Sequence, residues 1–337
     1  MSDKVGVGLI GCGGMGSHHA RNLAEIEGAH LRAFADVRSE AAQQLQTEVG
    51  CDYCTTDPQD LFNDDLVDVV LICTHHDLHV PLAIEAAEAG KQIFVEKPLA
   101  LTIEGCEQIE AAVERAGVKL MAGFQARFSP FIAKLKEVIP TPLVIVGQLV
   151  DPRWGDDSWA NDPVEGGGNV LSQGCHLFDA MCWLAGSEPT TIYAEGGNLT
   201  HPKIPEITDG IVATIRFANG CVASAINGDF GSPALAGKAF YELFGGTKTA
   251  TLYGYYGEPA IKFWGLEPAD FTMADLPPDY RNGSAAHGYV DEMRALIDWV
   301  GKDIDSTNAA KVKDGLRATK IGIKAIESIR TGQPQHL

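Results

Sequence analysis

The stretch KVGVGLIGCGGMGSHHARNLAEIEG, residues 4–28, determines how the rest of the chain is interpreted. Its first part is a short apolar run that predicts a buried strand, and its last part predicts a helix. Between the two lies the pattern G-x-G-x-x-G, formed by Gly11, Gly13 and Gly16. The pattern alone is weak, but in this position it predicts a turn whose backbone binds a pyrophosphate at a helix N-terminus.

A second predicted strand, HLRAFAD, ends in Asp36, twenty residues after Gly16. An acidic residue at this distance is placed to accept hydrogen bonds from the adenosine ribose. A carboxylate there would repel a 2′-phosphate, so the sequence favours NAD over NADP. The nearby Arg38 could accommodate that phosphate, which leaves NADP as the alternative.

Apolar runs and helical patterns alternate through the first third of the chain. Buried strands are predicted at residues 67–73, 91–97 and 118–123, with helices between them. Near-continuous apolar strands separated by helices are typical of a doubly wound parallel sheet.

Ligands of such sheets bind beyond the carboxyl ends of the strands. Three segments follow predicted strands there: THHDLH (74–79), EKP (96–98) and GFQARF (123–128). The residues expected to contact the cofactor are Gly11, Cys12, Gly13, Gly14, Met15, Gly16, Asp36, Arg38, Thr74, His76, His79, Glu96, Lys97 and Gln125. Lys97 is also placed to contact substrate, with a surface ion pair as the alternative.

Two groups of residues resemble metal or redox sites. His75, His76 and His79 have no carboxylate or cysteine partner at a supporting spacing, so we interpret them as a loop over the cofactor. Cys51 and Cys54 form a C-x-x-C without a second pair or a thioredoxin-like context. The sequence therefore predicts no metal site and structural cysteines.

Charge and composition restrict the function further. The net charge is −19, which argues against binding to nucleic acid or to an anionic membrane surface. Several of the eight cysteines lie in apolar runs, which suggests reduced thiols in a cytoplasmic protein. The start MSDK and the absence of a long apolar run predict neither a secretory leader nor a membrane span.

The stretch GGGNVLSQGCHLFD, residues 166–179, carries three polar residues at helical spacing. Ser172, His176 and Asp179 are predicted to share one face of a helix. His176 could therefore serve proton transfer, or the face could simply be a polar domain surface.

The preceding loop, DPRWGDDSWANDPVEGGG (151–168), is long and rich in Trp, Asp and Gly. This composition favours a binding loop. Trp154 and Trp159 can stack on a sugar ring, although they could instead pack an interface. Hydroxyl groups could be bound by Asp156, Asp157 and Asn161.

Arg127 and Arg153 could reach the same cleft and would suit an acidic substrate group. Each is also explained by a structural ion pair.

The second half contains two predicted hairpins, one through Asn219-Gly220 and one through Gly245-Gly246, and helices at 287–300 and 309–329.

Four motifs, taken together, resemble the Gfo/Idh/MocA family: GCGGMG with Asp36, AAEAGKQIFVEKPLA, GFQARFSP and GGGNVLSQGCHLFD. The resemblance implies an α/β fold with an N-terminal Rossmann domain, a doubly wound parallel sheet over residues 1–124. It also implies a C-terminal α/β domain over residues 125–337, whose large, mainly antiparallel sheet forms a homodimer or homotetramer. Members are mostly NAD(P)-dependent oxidoreductases acting on a carbinol of a sugar, cyclitol or sugar derivative.

The resemblance also implies residue roles. Lys97 matches the lysine of E-K-P, whose bond to the proline is typically cis, and His176 matches the histidine that exchanges the hydroxyl proton. Ser172 stands where many sugar dehydrogenases of the family have an aspartate, and Asp179 matches a position with a more structural role. The expected substrate contacts are Lys97, Arg127, Arg153, Trp154, Trp159, Ser172 and His176.

Two alternatives stay open on this basis. Some similar proteins use bound NAD transiently and cleave glycosides by oxidation, elimination and re-reduction, and the loss of the aspartate at Ser172 keeps this chemistry open. A non-catalytic nucleotide sensor is disfavoured because both Lys97 and His176 are retained.

Overall fold

The structure is a computed structural model that describes residues 4–235 and 237–337. It divides into two compact units, Met1–Phe124 with Tyr289–Leu316, and Gln125–Gly288 with Arg317–Leu337. The prediction that no secretory leader is present rests partly on residues 1–3, which lie outside the described residues.

The first unit is built on a six-stranded parallel sheet. Its strands are β1 (Val5–Ile10), β2 (Ala29–Ala35), β3 (Tyr53–Thr55), β4 (Val69–Ile72), β5 (Gln92–Val95) and β6 (Leu120–Ala122). Their order in the sheet is β3-β2-β1-β4-β5-β6, which confirms the predicted doubly wound parallel sheet. The order reverses between β1 and β4, the position at which open α/β sheets bind their ligands.

The helices confirm the predicted α/β alternation and the two predicted helices near the end of the chain. No helix among the described residues is long and apolar enough to cross a membrane. The α-helices are α1 (Gly14–Ala24), α2 (Ser39–Val49), α3 (Gln59–Phe62), α4 (His79–Glu88), α5 (Ile103–Ala116), α6 (Pro130–Val138), α7 (Asn169–Ser172), α8 (Gly174–Ala185), α9 (Gly283–Ala286), α10 (Tyr289–Lys302) and α11 (Val312–Thr331).

One segment lies in a different unit from the one the sequence indicates. Residues 289–316 were expected in the C-terminal domain, but they belong to the first unit, where α10 packs against α1 and β1. The backbone N–H of Ala122 on the edge strand β6 donates to Ala310 O at 2.9 Å, and Lys119 Nζ donates to Trp299 O at 2.7 Å. The chain returns because the exposed edge and face of the first sheet need a covering segment.

The second unit contains a nine-stranded sheet. Its strands are β7 (Val144–Pro152), β8 (Pro189–Gly197), β9 (Gly210–Phe217), β10 (Val222–Gly231), β11 (Ala239–Phe244), β12 (Thr249–Tyr253), β13 (Ala260–Trp264), β14 (Asp270–Thr272) and β15 (Gln335–His336). The order is β14-β13-β12-β11-β7-β10-β9-β8-β15. β7 and β10 pair in parallel and the other neighbours pair antiparallel, so the predicted mainly antiparallel sheet is confirmed.

Both predicted hairpins are present, β9–β10 and β11–β12. The inner face of this sheet packs on α8, and Gly147 on β7 allows a close approach. A Cβ at Gly147 would lie 2.4 Å from Met181 Cε and 2.8 Å from Leu177 Cδ1. This close contact fixes α8, the helix that carries His176, against the sheet.

Candidate active site

The residues expected to act belong to both units and are described unit by unit. In the first unit, the glycine loop between β1 and α1 is shaped by close backbone contacts. Gly11 has φ +92°, and a Cβ there would lie 2.5 Å from Cys73 O. A Cβ on Gly16 would lie 1.9 Å from Gly11 O, whereas at Gly13 and Gly14 it would meet no atom within 4 Å. The loop is therefore packed at its two ends and open at its middle, where a pyrophosphate would bind.

Asp36 is fixed against this loop. Its Oδ2 accepts a hydrogen bond from Cys12 N at 2.8 Å, and its Oδ1 accepts one from Arg38 N at 2.9 Å. The Arg38 side chain is 70% exposed, with its Nε 3.7 Å from Asp36 Oδ1. Both carboxylate oxygens can accept further bonds, so the side chain is oriented for a ribose diol.

At the end of β5, buried Glu96 fixes the backbone of Lys97. Glu96 Oε2 accepts a hydrogen bond from Lys97 N at 3.1 Å, and Glu96 Oε1 lies 2.7 Å from His19 Nε2. Burial acts to raise the pKa of Glu96, but the hydrogen bond to His19 and the Lys97 charge outweigh it, so the pKa is lowered. The Lys97–Pro98 bond is cis, as the resemblance implies. Sequence reasoning missed His19, whose position in the middle of α1 gave no sign of this contact.

His79 is a buried link between two segments that follow strands. Its Nδ1 lies 2.8 Å from Pro98 O and its Nε2 lies 3.4 Å from Thr74 O. Burial lowers the pKa of this histidine, which favours a neutral ring. The His76 and His79 rings pack edge to face, with their centroids 5.5 Å apart. A neutral ring that donates from Nδ1 to Pro98 O, the shorter of the two contacts, is the geometry of a structural residue.

The cysteines are free thiols, all eight of them. Cys51 Sγ and Cys54 Sγ are 3.9 Å apart, which is a contact between thiols and not a disulfide. Burial raises the pKa of Cys51 to about 12 and that of Cys12, in the glycine loop, also to about 12. These thiols are therefore protonated and unreactive at neutral pH.

In the second unit, the predicted helix over residues 166–179 is divided. α7 ends at Ser172 and α8 begins at Gly174, so the prediction that Ser172 shares one continuous helical face with His176 and Asp179 was wrong. The division falls where α8 approaches β10, since a Cβ on Gly174 would lie 2.8 Å from Asn227 Oδ1. His176 lies in the first turn of α8 and is 7% exposed, and Ser172 is 3% exposed.

Asp179 and Arg127 form a buried bidentate ion pair. Arg127 Nε donates to Asp179 Oδ2 at 2.8 Å and Arg127 Nη2 donates to Asp179 Oδ1 at 2.5 Å. Both side chains are at most 3% exposed. The geometry matches the structural ion pair that sequence analysis weighed as the alternative for Arg127, and it occupies the Asp179 carboxylate.

The loop with the two tryptophans starts at the end of β7. Trp159 is 38% exposed and Trp154 is half-buried. Arg153 Nε donates to Thr200 O at 3.1 Å, and Arg153 also pairs with Asp156. Of the three residues expected to bind hydroxyl groups, Asn161 is fully buried, Asp156 is partly buried and Asp157 is exposed.

A polar cluster that sequence reasoning missed lies beside the α7–α8 junction. Lys238 Nζ donates to Asp151 Oδ1 at 2.8 Å and to Gln173 Oε1 at 3.3 Å, and it lies 5.0 Å from the centroid of the Tyr256 ring. Gln125, an expected cofactor contact, donates from Nε2 to the Tyr256 hydroxyl at 3.0 Å. No local pattern marks Lys238, which reaches Asp151 only because β11 and β7 are neighbours.

Comparison with known proteins agrees with the fold described above. Residues 5–124 match the model of an "Oxidoreductase family, NAD-binding Rossmann fold", and residues 138–245 match that of the "GFO/IDH/MocA C-terminal domain". The match confirms NAD as the predicted cofactor.

Individual relatives are also NAD-linked or sugar-related dehydrogenases by name. The chain is 28% identical to scyllo-inositol 2-dehydrogenase (NAD(+)) of Bacillus subtilis (strain 168), over 100% of this chain and 97% of that protein. It is 32% identical to myo-inositol 2-dehydrogenase of Thermotoga maritima, over 64% of this chain and 66% of that protein. The structure of levoglucosan dehydrogenase in complex with NADH and levoglucosan has the same fold, with a TM-score of 0.87, 22% identity and 99% coverage of both chains.

Proposed function

Because the chain belongs to the GFO/IDH/MocA family of NAD-binding oxidoreductases, we propose that it transfers a hydride between NAD and a carbinol of a sugar, cyclitol or sugar derivative. The observation that carries the proposal is the open glycine loop with Asp36 hydrogen-bonded directly to it. The relatives named as inositol dehydrogenases support the substrate class.

In this proposal, two side chains act on the substrate hydroxyl. When bound, NAD supplies the hydride acceptor, and the glycine loop and Asp36 hold it. His176 removes the hydroxyl proton, and Lys97 lowers the energy of the developing alkoxide by charge and hydrogen bonding. Glu96 fixes the backbone at Lys97, and the buried position of His176 limits its exchange with water.

The charges of the second unit favour an uncharged substrate. Three cations of this unit, two of them expected to contact substrate, already contact a carboxylate. These contacts are Arg127 with Asp179, Arg153 with Asp156 and Lys238 with Asp151. An acidic sugar would have to compete with these carboxylates, whereas the hydroxyl groups of a neutral polyol can bind both members of such a pair.

The test is NADH formation with purified protein across a panel of neutral sugars, cyclitols and the corresponding sugar acids. We expect turnover with NAD on one or more neutral polyols. A parallel incubation with glycosides, without added NAD, addresses the glycosidase alternative. Aglycone release without NADH accumulation would contradict a simple dehydrogenase.

Asp36→Asn is expected to weaken the preference for NAD over NADP by about tenfold, as measured by the ratio of kcat/KM values. The amide oxygen can still accept the Cys12 N–H bond, so the loop keeps its anchor while the charge that repels a 2′-phosphate is lost. Adding Arg38→Met to this variant is the control, since Arg38 is the nearby cation that would bind the phosphate. An unchanged ratio in Asp36→Asn would show that the carboxylate does not set cofactor choice.

Lys238→Met is expected to raise the KM for the polyol by about tenfold, because it removes a charged donor beside the junction of α7 and α8. Lys324→Met is the matched control. Lys324 also pairs with a carboxylate, that of Glu327, and its side chain is 27% exposed against 24% for Lys238. Equal effects of the two substitutions on KM would remove Lys238 from the substrate site.

We also propose that the second unit forms a homodimer or homotetramer through its sheet. Val212, Tyr253 and Trp264 are 54%, 43% and 48% exposed. The cross-strand register places their side chains on the sheet face opposite α8. Such a face favours pairing with a second copy, and light scattering measures the assembly.

The free thiols support a cytoplasmic location.

A further inference from the structure

His201, between β8 and β9, is a buried histidine held between two carboxylates. Its side chain is 0% exposed, with Nε2 2.7 Å from Asp229 Oδ2 and Nδ1 2.9 Å from Asp156 Oδ1. Ionised carboxylates only accept hydrogen bonds, so these two short contacts are those of a ring that donates from both nitrogens, as an imidazolium does. The donors Asn161 Nδ2 and Arg153 Nη2 lie farther from the ring nitrogens, each at 3.4 Å. Burial alone lowers the pKa of His201, but the hydrogen bonds to Asp229 and Asp156 outweigh it and raise the pKa.

The segment that carries His201 is itself fixed by Asp209. This carboxylate accepts backbone hydrogen bonds from Leu199 N at 2.7 Å, Thr200 N at 2.7 Å and His201 N at 3.1 Å. Asp209 is fully buried. The imidazole therefore projects from a rigid turn.

Both carboxylate partners of His201 also hold the tryptophan loop. Asp229 Oδ2, which accepts the bond from His201, also accepts one from Trp154 N at 3.0 Å. Asp156 belongs to the loop and pairs with Arg153, whose Nε bonds to Thr200 O beside His201. The imidazolium is thus the point where the loop, the β8–β9 turn and β10 meet.

We propose that His201 is a positioning residue which, in its doubly protonated form, fixes the loop of Trp154 and Trp159 for substrate binding. Its functional consequence rests on the proposed function, because Trp154 and Trp159 are among the substrate contacts expected from the sequence.

A proton explains this cluster better than a bound cation. Ligand atoms of His201, Asp209 and Asp229 lie within 4.8 Å of one another, but the hydrogen bonds described above already use them. The charged groups around the ring are the carboxylates of Asp156, Asp209 and Asp229 and the cations of Arg153 and Lys203.

The sign of the pH dependence follows from the raised pKa. At a pH below the pKa of His201, the ring keeps both protons and holds the loop. As the pH rises through it, one ring nitrogen loses its proton and presents a lone pair to a carboxylate, so the loop loosens. We expect the KM for the substrate to rise with pH while kcat for the bound substrate follows the titration of other groups.

Hydrogen exchange measured by mass spectrometry tests the positioning role directly. At a fixed pH of about 6.5, near the ordinary histidine pKa, peptides covering residues 152–165 should exchange about tenfold faster in His201→Gln than in the wild type. Lys203→Met is the control, because Lys203 Nζ lies 3.5 Å from Asp156 Oδ2 and its side chain is 81% exposed. Equal exchange in His201→Gln and wild type would overturn the proposal.

If His201→Gln fails to fold, the wild-type protein still provides the test. Protection of residues 152–165, relative to α5 in the same sample, should fall as pH rises through the pKa of His201. A constant ratio would overturn the proposal.

Kinetics separates positioning from a purely structural role. His201→Gln should raise KM by about tenfold and leave kcat within about twofold. Asp156→Asn should move the rise of KM to lower pH, because only one carboxylate, that of Asp229, then stabilises the imidazolium. Lys203→Met should not move it to lower pH. A fall in kcat with unchanged KM, or an unmoved profile in Asp156→Asn, would contradict the assignment. Absence of turnover on every polyol would refute the proposed function, and hydrogen exchange would still test the loop contact.

Discussion

His176→Gln is expected to reduce kcat for polyol oxidation by about 10³-fold, within the usual range for loss of a general acid or base. Glutamine can still hydrogen-bond to the substrate hydroxyl, but it cannot accept its proton near neutral pH. The KM for the polyol should therefore change little, because the substitution removes an interaction made mainly in the transition state. Steady-state NADH formation at several substrate concentrations measures both parameters.

Two controls define what this result means. His30→Gln replaces a half-exposed histidine that lies 2.9 Å from Asp52, and it should leave kcat unchanged. NAD binding to His176→Gln, followed by calorimetry, should match the wild type because the glycine loop and Asp36 are untouched. A loss of less than tenfold in kcat would show that another group transfers the proton.

Arg127→Met is expected to lower the free energy of unfolding by about 3–5 kcal/mol. The substitution leaves the Asp179 carboxylate, 1% exposed, without its guanidinium partner. A buried charge with no compensating cation is costly, and the carboxyl must either take up a proton or draw in water. Denaturant unfolding followed by circular dichroism provides the measurement.

The double variant Arg127→Met with Asp179→Leu is the informative control. Removing both charges should recover a large part of the loss, since an apolar pair of similar size needs no compensation. Arg21→Met breaks an exposed ion pair with Glu48 and should lower the free energy of unfolding far less than Arg127→Met, because solvent screens the pair. If Arg127→Met were as stable as the wild type, the buried ion pair would not contribute as argued.

Much of the fold was predictable because its signals are local. The glycine loop, the strand before it and Asp36 follow one another within 36 residues. The hairpin through Asn219-Gly220 is equally local, since two residues fix its turn and register. For the same reason the sequence could single out Lys97 and His176 as candidates, because each stands in a short motif.

Other features depended on which distant segments the topology brings together. Lys238 reaches Asp151 across 87 positions, Arg127 reaches Asp179 across 52, and His201 reaches Asp156 across 45. The break at Gln173 and the return of Tyr289–Leu316 to the first unit likewise reflect packing against distant strands. The sequence by itself determined the nucleotide-binding motif, the sheet classes and the reaction candidates, since backbone geometry and side-chain periodicity act over a few residues. Only the tertiary structure decided which charges pair with one another and which histidine lies between two carboxylates, because those depend on burial and on partners far apart in the chain.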